Sequence, residues 1–366
     1  MAKPKILVTT AAGRTGFPVA RQLLEKGYPV RAFVHRESAR AEALRAGGAE
    51  IFAGNMFDIR DLREAMKGVQ RAYYCPPLGP NMLHASAMFA VAAEEARLES
   101  VTNMTQWFAN PVHPSFATRE HWLIDKILPW MPNVGVVTIN PSLFAEVFYL
   151  IVLAPVAQLG LFPMPMGMGK NAPASNEDMA SVAVGTLIDP APHLGKSYRP
   201  TGPALVTPQD AADIFAKILG RKVKYMDIPV PMFLKAAKLQ GFAMSESAQA
   251  SFYGHEHALG AAAINAPNDV VRRIGGREPE AFESIARRAI ATSPDAVRTF
   301  GNKLKALSFF ARLMMTRVPD LAAYRKEQNH PEIDNPVFSS KSDEWLAEHE
   351  GQDDAPHLRA VPRKAS

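Results

Sequence analysis

Apolar and polar positions along the first 140 residues form a regular series of short and long blocks. Short apolar runs of strand length recur at residues 6–10, 29–34, 50–53, 71–75, 100–105 and 134–139. The stretches between them have helical character, as in the alanine-rich run at residues 82–98. Strands that alternate with helices at this spacing pair in parallel through right-handed crossovers. The pattern therefore predicts an α/β fold with a Rossmann-type, doubly wound parallel sheet.

The strict alternation weakens after residue 140, where residues 143–170 are rich in Met, Phe and Pro. Beyond them the pattern predicts helices at 175–187 and 208–219, a strand at 222–228 and further helices between 230 and 295. From about residue 331 the chain becomes polar, and we expect the last ten to fifteen residues to be disordered.

The chain has 366 residues, which is long enough for a Rossmann core with a second, smaller lobe. We predict three parts. They are a Rossmann domain at 1–145 with returning segments at 170–205, a smaller, mainly helical substrate lobe at 146–295, and a C-terminal helical extension with a polar tail at 296–366.

The turn after the first strand, residues 11–16, has the sequence Ala-Ala-Gly-Arg-Thr-Gly. Small residues let the backbone approach a pyrophosphate, and free N–H groups at the helix start favour its negative charge. Arg36 follows the second strand, where an NAD enzyme usually carries an acidic residue, and an arginine there can pair with a 2′-phosphate. We therefore expect a dinucleotide cofactor, NADP(H) in preference to NAD(H). Arg14 either adds positive charge to this site or is a solvated arginine.

Thr10 departs from the glycine pattern of such turns, because a full G-x-x-G-x-x-G motif would place its first glycine there. A threonine cannot adopt a positive φ without strain. Either the turn keeps ordinary β geometry and Thr10 forms local hydrogen bonds, or the pyrophosphate sits differently and binds more weakly.

Composition and charge narrow the classes of partner. The chain is 47% hydrophobic and 21% charged, as in an ordinary soluble globular protein. Its net charge is +5, but the Lys and Arg residues are scattered and form no basic stripe, so we expect no nucleic-acid ligand. The most apolar stretch, 147–166, contains Pro155 and Gln158, which favours a buried or pocket-lining segment over an integral membrane span.

Cysteine and histidine usage gives no sign of a metal site. Cys75 is the only cysteine, which excludes an internal disulfide and fits a reducing, cytoplasmic compartment. His255, Glu256 and His257 are adjacent, but the two histidines would point to different faces of a helix. We therefore expect no bound metal.

Further blocks accompany the glycine turn in order along the chain. They lie at residues 8–16, 30–36, 48–58, 138–144, 198–212 and 275–283, the third being a degenerate Gly-Ala-x4-Gly-Asp-x2-Asp motif. Over roughly residues 5–290 they resemble the NmrA-like branch of the atypical short-chain dehydrogenases, nearest its quinone oxidoreductases and triphenylmethane-dye reductases. The resemblance implies NAD(P) binding and either reductase activity or a regulatory role, because the family includes both.

The resemblance also implies positions for the site residues. The block at 119–125 looks like the helix beside the nicotinamide, which makes His121 the leading catalytic candidate, where other members carry lysine. Asn55 falls where the family has an acidic residue, so Asn55 and Met56 would flank the adenine. The cofactor-binding residues that we expect are Thr9, Thr10, Ala12, Gly13, Arg14, Thr15, Gly16, Arg36, Asn55, Met56, Pro76, Asn140 and Pro141.

The Tyr-x-x-x-Lys pair of ordinary short-chain dehydrogenases is missing from the expected helix, where the nearest match by spacing is Trp122 with Lys126. His121 can instead bind a ribose hydroxyl or donate a proton, or it is simply a packed histidine. Thr105 is a second catalytic candidate and Gln106 a candidate substrate contact. Both follow the fifth strand at the edge where ligands bind in such sheets, and the alternative is a role in the turn.

Residues 143–168 predict an adaptable apolar pocket in which Phe144, Phe148 and Met164 contact substrate, unless they only pack the smaller lobe. A quinone or conjugated cation is already electrophilic and needs less help from a positioned acid. We therefore expect an NADPH-dependent oxidoreductase that transfers hydride to a hydrophobic aromatic or quinone-like acceptor. The alternative is a non-catalytic NAD(P)-binding redox sensor of the NmrA type.

The extension from residue 296 carries an apolar set that would form a lid over the substrate of a dehydrogenase or isomerase. Its members are Phe309, Phe310, Leu313, Met314 and Met315. The same set could instead pack on the smaller lobe or bury the contact of a homodimer.

Overall fold

A parallel sheet of seven strands forms the centre of the computed structural model, which describes residues 3–349. The strands of this sheet and of a second, two-stranded sheet are β1 (Ile6–Val8), β2 (Val30–Val34), β3 (Glu50–Ala53), β4 (Arg71–Tyr74), β5 (Ser100–Met104), β6 (Gly135–Ile139), β7 (Leu161–Met164), β8 (Ser197–Tyr198) and β9 (Lys224–Asp227). The large sheet has the order β3-β2-β1-β4-β5-β6-β8, and its neighbouring strands are parallel. Because the chain builds outward from β1 in one direction and from β4 in the other, a crevice lies between their carboxyl ends.

Helices cover both faces of the large sheet and form most of the smaller lobe. They are α1 (Gly16–Glu25), α2 (Ala39–Ala46), α3 (Ile59–Met66), α4 (Met82–Glu95), α5 (Phe116–Ile127), α6 (Ala145–Phe148), α7 (Leu153–Leu159), α8 (Asn176–Ile188), α9 (Pro208–Leu219), α10 (Val230–Leu239), α11 (Met244–Ala258), α12 (Val270–Gly275), α13 (Phe282–Thr292), α14 (Phe300–Met315), α15 (Leu321–Glu327) and α16 (Asp343–His349). On one face α1, α8 and α12 pack together, and on the other α3, α4 and α5. Ile6 and Val8 contact the first layer and Leu7 the second, since successive side chains of a strand point to opposite faces. The predicted doubly wound fold is confirmed.

Local capping explains where several predicted helices begin. Ser175 accepts a hydrogen bond from the Asp178 N–H at the start of α8, and Thr207 forms a capping box with Asp210 at the start of α9. These caps lie next to the bounds predicted from hydrophobic spacing, at 175–187 and 208–219. The sequence therefore carries both the period of these helices and the signal that starts them.

A second core fills the smaller, mainly helical lobe, whose two-stranded sheet pairs β7 with β9. Four buried aromatic residues pack at its centre in tilted or edge-to-face contacts, with ring centroids 5.1 to 5.7 Å apart for Tyr149 with Phe282, Phe162 with Phe215, and Phe215 with Phe282. This core lies beside the carboxyl edge of the large sheet, because Trp107 and Phe108, shortly after β5, belong to it.

The predicted division into three parts stays a prediction. The disorder that we expected in the last ten to fifteen residues falls outside the described residues. Within residues 3–349, helices are too short or too polar to cross a membrane.

Candidate active site

A cavity of about 890 Å³ lies between the large sheet and the smaller lobe. Its floor is formed by residues just past the carboxyl ends of β1, β4, β5 and β6, which is where open α/β sheets bind ligands. Ten of the predicted site residues line it, namely Arg14, Thr15, Pro76, Thr105, Gln106, His121, Pro141, Phe144, Phe148 and Met164. The fold thus gathers residues that are up to 150 positions apart in the sequence.

The remaining predicted residues lie outside this cavity, and these are Thr9, Thr10, Ala12, Gly13, Gly16, Arg36, Asn55, Met56 and Asn140. Thr9 is fully buried, and its hydroxyl accepts a hydrogen bond of 3.0 Å from the Cys75 N–H. Met56 is buried among the residues between the sheet and α3. The Asn55 side chain accepts a hydrogen bond from the Phe57 N–H, 3.0 Å away, which shapes the turn after β3.

The turn after β1 wraps tightly around the Thr10 carbonyl oxygen. Thr10 has φ +47°, so of the two alternatives for this turn, the one with ordinary β geometry is wrong. Its carbonyl accepts a hydrogen bond of 2.7 Å from the Gly13 N–H. A Cβ atom on Gly13 or Gly16 would lie 2.8 or 2.5 Å from the same oxygen. Both positions therefore require glycine. As a result, no side chain of these two residues covers the backbone at the start of α1.

Two exposed arginines follow β2, and one of them contacts this turn. Arg36 is exposed after β2, where the sequence placed it. Arg40, on the first turn of α2, donates to the Ala12 carbonyl oxygen over 3.3 Å and lies above the Phe17 ring. We did not identify Arg40 from the sequence, although its position four residues after Arg36 is a signal that could have found it.

His121, Thr105 and Asp125 form a connected line of polar groups at the wall of the cavity. The Thr105 hydroxyl donates to Asp125 Oδ2 over 2.9 Å and lies 3.4 Å from His121 Nδ1. Asn103 donates to the other carboxylate oxygen over 2.8 Å. Burial lowers the pKa of His121 to about 4 and raises the pKa of Asp125 to about 7. At neutral pH the imidazole is therefore neutral, while the carboxyl group can hold a proton.

Asp125 was missed in the sequence analysis, although it lies four residues after His121 and so shares a helix face with it. Tyr253 and Gln249 were missed as well. Both line the cavity from α11, and the Tyr253 hydroxyl and the Gln249 amide donate to Gln106 Oε1. Burial raises the pKa of Tyr253 above its usual value, so this phenol stays protonated. Gln249 and Tyr253 lie 143 and 147 positions after Gln106, and no local sequence pattern indicates a contact between residues so far apart.

Aromatic and methionine side chains form the opposite wall. Phe144 and Phe148 are in edge contact at 5.8 Å, and Met164 lies near them in the same core. Phe309, Phe310 and Leu313 of α14 line the cavity as well. Two other members of the predicted lid, Met314 and Met315, are 63% and 78% exposed and face away from it. Of the alternatives left open for this set, a lid over the substrate therefore does not hold for these two residues, because their side chains project into solvent.

The residues 255–257 serve packing. The His113 imidazole pairs with Glu256 over 3.1 Å, and both groups are buried. His257 Nδ1 lies 2.8 Å from the Met166 carbonyl oxygen. Within residues 3–349 there is no group of three or more His, Cys, Asp or Glu side chains placed to hold a metal ion.

Residues 2–98 match the model of the NmrA-like family, so the resemblance predicted from the sequence is confirmed. Among characterised proteins, the chain is 29% identical over 284 residues to an NAD(P)H azoreductase of Xenophilus azovorans. That alignment covers 77% of this chain and 96% of the azoreductase.

Solved structures share the fold. The NADPH-dependent quinone oxidoreductase QOR2 of Escherichia coli, solved with NADPH, has a TM-score of 0.67 at 23% identity, over 77% of this chain and 99% of QOR2. The triphenylmethane reductase of Citrobacter sp., solved with NADP(H), has a TM-score of 0.68 at 19% identity, over 78% and 99%. NmrA, a negative transcriptional regulator solved with NADP, has a TM-score of 0.64 at 16% identity, over 85% and 100%.

Proposed function

We propose that this protein is an NADPH-dependent oxidoreductase that transfers hydride to a hydrophobic, aromatic or quinone-like acceptor. The match of residues 2–98 to the NmrA-like family model supports the nucleotide site. The observation that carries the proposal is the cavity of about 890 Å³, in which Arg14 and Thr15 of the glycine turn share one space with His121 and the aromatic wall. A cofactor seated on that turn would lie beside an acceptor in the cavity.

The residues around the turn fit a nicotinamide dinucleotide, which supplies hydride when bound. Gly13 and Gly16 have no side chains that would block the approach of a pyrophosphate. In the first turn of α1 the Phe17 N–H donates to the Gly13 carbonyl and Pro18 has no N–H, so the Gly16 and Val19 N–H groups are the ones without partners within the helix. Arg36 and Arg40 add two exposed guanidinium groups next to β2 and the turn. We infer that these arginines pair with a 2′-phosphate, which favours NADPH over NADH.

Asp125 is the proton source in this proposal. Conversion of a quinone to a hydroquinone takes one hydride and one proton. When Asp125 is protonated, the direction of its hydrogen bond with Thr105 reverses: the carboxyl group donates to the Thr105 oxygen, and the Thr105 hydroxyl turns to donate to His121 Nδ1. The other imidazole nitrogen, which carries the hydrogen of the neutral ring, then passes that proton to the reduced acceptor. Because the imidazole pKa is about 4, His121 relays this proton rather than storing it.

The acceptor would lie flat against Phe144 and Phe148, with its oxygen or nitrogen atoms directed at the polar wall. Gln106 is held there by Gln249 and Tyr253, so its amide is oriented before an acceptor enters. The relation to an azoreductase and the fold shared with quinone and dye reductases support this class of acceptor.

The experiment combines nucleotide titration with NADPH consumption against a panel of quinones, azo dyes and cationic dyes. We expect Thr105→Val to lower kcat by on the order of a hundredfold with unchanged NADPH affinity. Thr118→Val is the control, because the Thr118 hydroxyl is buried on the same helix as His121 and has no hydrogen-bond partner among residues 3–349. Arg36→Ala should weaken binding of NADPH more than of NADH.

The pH profile tests the proton source separately. Asp125 is protonated below about pH 7, so kcat should fall as the pH rises through this value, and the fall should vanish in Asp125→Asn. Tight nucleotide binding without turnover of any acceptor would overturn the enzyme assignment in favour of a regulator. Loss of all nucleotide binding would overturn the cofactor site itself.

A further inference from the structure

Helix α14 has two apolar faces, only one of which packs against the protein. Ala306 and Leu313 are buried, and Phe309 and Phe310 line the cavity beside them. The helix contacts α7 and α10 through this inner side. A helix of a globular protein usually has one apolar stripe and a polar outer surface, so the second face needs an explanation.

The outer face of α14 consists of Phe300, Leu304, Leu307, Met314 and Met315. Their exposed fractions are 84%, 57%, 49%, 63% and 78%. At 3.6 residues per turn these positions fall within an arc of about 100°, and the helix is about 24 Å long. Val297 and Val318, just beyond the two ends, are also exposed, at 57% and 46%. Such a continuous exposed apolar strip marks an interaction surface.

Basic residues border this outer face. Residues 296–319 contain Arg298, Lys303, Lys305, Arg312 and Arg317 and no aspartate or glutamate. The helical period places Lys303 on one side of the apolar arc and Lys305 and Arg312 on the other. Lys305 and Arg312 also line the cavity, and Lys305 is paired with Asp295 at 3.0 Å, outside the helix. Apolar residues between flanking cations are the pattern of helices that lie in a membrane interface.

We propose that the outer face of α14 docks on an anionic lipid surface. Its apolar side chains would enter the boundary between headgroups and acyl chains, and the flanking cations would contact lipid phosphates. The 16-residue helix lies on the bilayer and does not cross it. Charge favours this occupant over a second copy of the chain. Apart from Lys305, which is paired with Asp295, self-pairing would bring eight cations together without a carboxylate from residues 296–319.

The cavity lies on the inner side of the helix that carries this surface. The role that follows for the surface rests on the proposed function. Phe309, Phe310 and Leu313 line the cavity from the inner side of the helix whose outer side would touch lipid. A quinone-like acceptor dissolved in the bilayer could then reach the cavity along α14 without crossing water.

The test is co-sedimentation of the full chain, without nucleotide or acceptor, with vesicles of phosphatidylcholine alone or mixed equally with phosphatidylglycerol. We expect binding to the mixed vesicles only, weakening as salt is raised. Leu304→Gln combined with Met314→Gln should reduce the partition coefficient on the order of tenfold. Lys303→Gln combined with Arg317→Gln should reduce it by roughly twenty-fivefold, at roughly fivefold per cation.

Val91→Gln is the matched control, because Val91 is 50% exposed on α4 and lies away from α14. It should bind vesicles like the unmodified chain, and every variant should keep its NADPH affinity and circular dichroism spectrum. Absence of binding to mixed vesicles would overturn the proposal. Vesicle binding by the α14 variants that equals binding by the unmodified chain would overturn it too. So would a dimer, detected by light scattering, that Leu304→Gln dissociates. None of these outcomes depends on turnover, so the proposed function is tested separately.

Discussion

The backbone at Thr10 has φ +47°, a conformation that is strained for a β-branched residue. Strain of this kind persists where the surrounding structure imposes it and is concentrated at functional sites. The surroundings do impose it, because the Thr10 carbonyl is held by Gly13 and packed against Gly16. The positive φ that a glycine usually supplies is therefore kept here with a side chain attached.

Thr10→Gly should stabilise the protein. Relief of the strain in the left-handed backbone should stabilise the folded state by about 1–2 kcal/mol. Glycine also gives the unfolded chain more conformational entropy, which offsets about half of that gain. We expect the free energy of unfolding in urea to rise by about 0.5–1 kcal/mol and NADPH to bind at least as tightly. Thr9→Gly is the control, and it should destabilise, because it removes the hydroxyl that accepts from the Cys75 N–H. If Thr10→Gly is less stable than the unmodified protein, the contacts of the threonine side chain contribute more to stability than its backbone strain costs.

At the scale of elements, close packing between helices depends on glycine residues, although glycine has a low helix propensity. Gly185 lies in the last turn of α8, and within a helix glycine costs about 1 kcal/mol relative to alanine. A Cβ atom there would lie 2.2 Å from the Ile274 carbonyl oxygen of α12. The glycine is therefore needed for the close approach of α12 to α8, on the face of the sheet where α1 also packs.

Gly185→Ala should lower the free energy of unfolding by about 1–3 kcal/mol, because α12 must move away from α8. Gly301→Ala is the same substitution in another helix, α14, where the nearest atom to the added Cβ is 3.9 Å away. It should be neutral or stabilise the protein by up to about 1 kcal/mol. Urea unfolding of both variants tests the difference, and equal effects at the two sites would contradict the packing argument.

At the scale of the whole molecule, the segment before residue 350 joins the smaller lobe to the large sheet. The Val337 N–H donates to the Val112 carbonyl over 2.8 Å. The Trp345 indole donates to the Trp107 carbonyl over 3.2 Å, and the two rings meet edge to face at 5.4 Å. Trp107 in turn donates to the Ala261 carbonyl and lies under the Arg199 guanidinium at 4.0 Å. This cluster ties three distant parts of the chain together.

Trp345→Ala should therefore destabilise the protein by about 3–5 kcal/mol. Trp345 is only 2% exposed, so its truncation leaves a cavity in the core. Trp130→Ala is the control, since Trp130 is 72% exposed, and its effect should stay within about 0.5 kcal/mol. Thermal or urea unfolding measures both. A small effect of Trp345→Ala would mean that α16 docks without contributing to the fold.

The sequence by itself determined the alternation of strands and helices, the glycine turn and the place of Arg36. Hydrophobic period, helix caps and backbone sterics act over a few residues and can be read locally. Only the tertiary structure decided that Tyr253 holds Gln106, that Asp125 meets Thr105, and that α14 has two apolar faces. These depend on packing between distant elements, and for such contacts no local pattern specifies the partner.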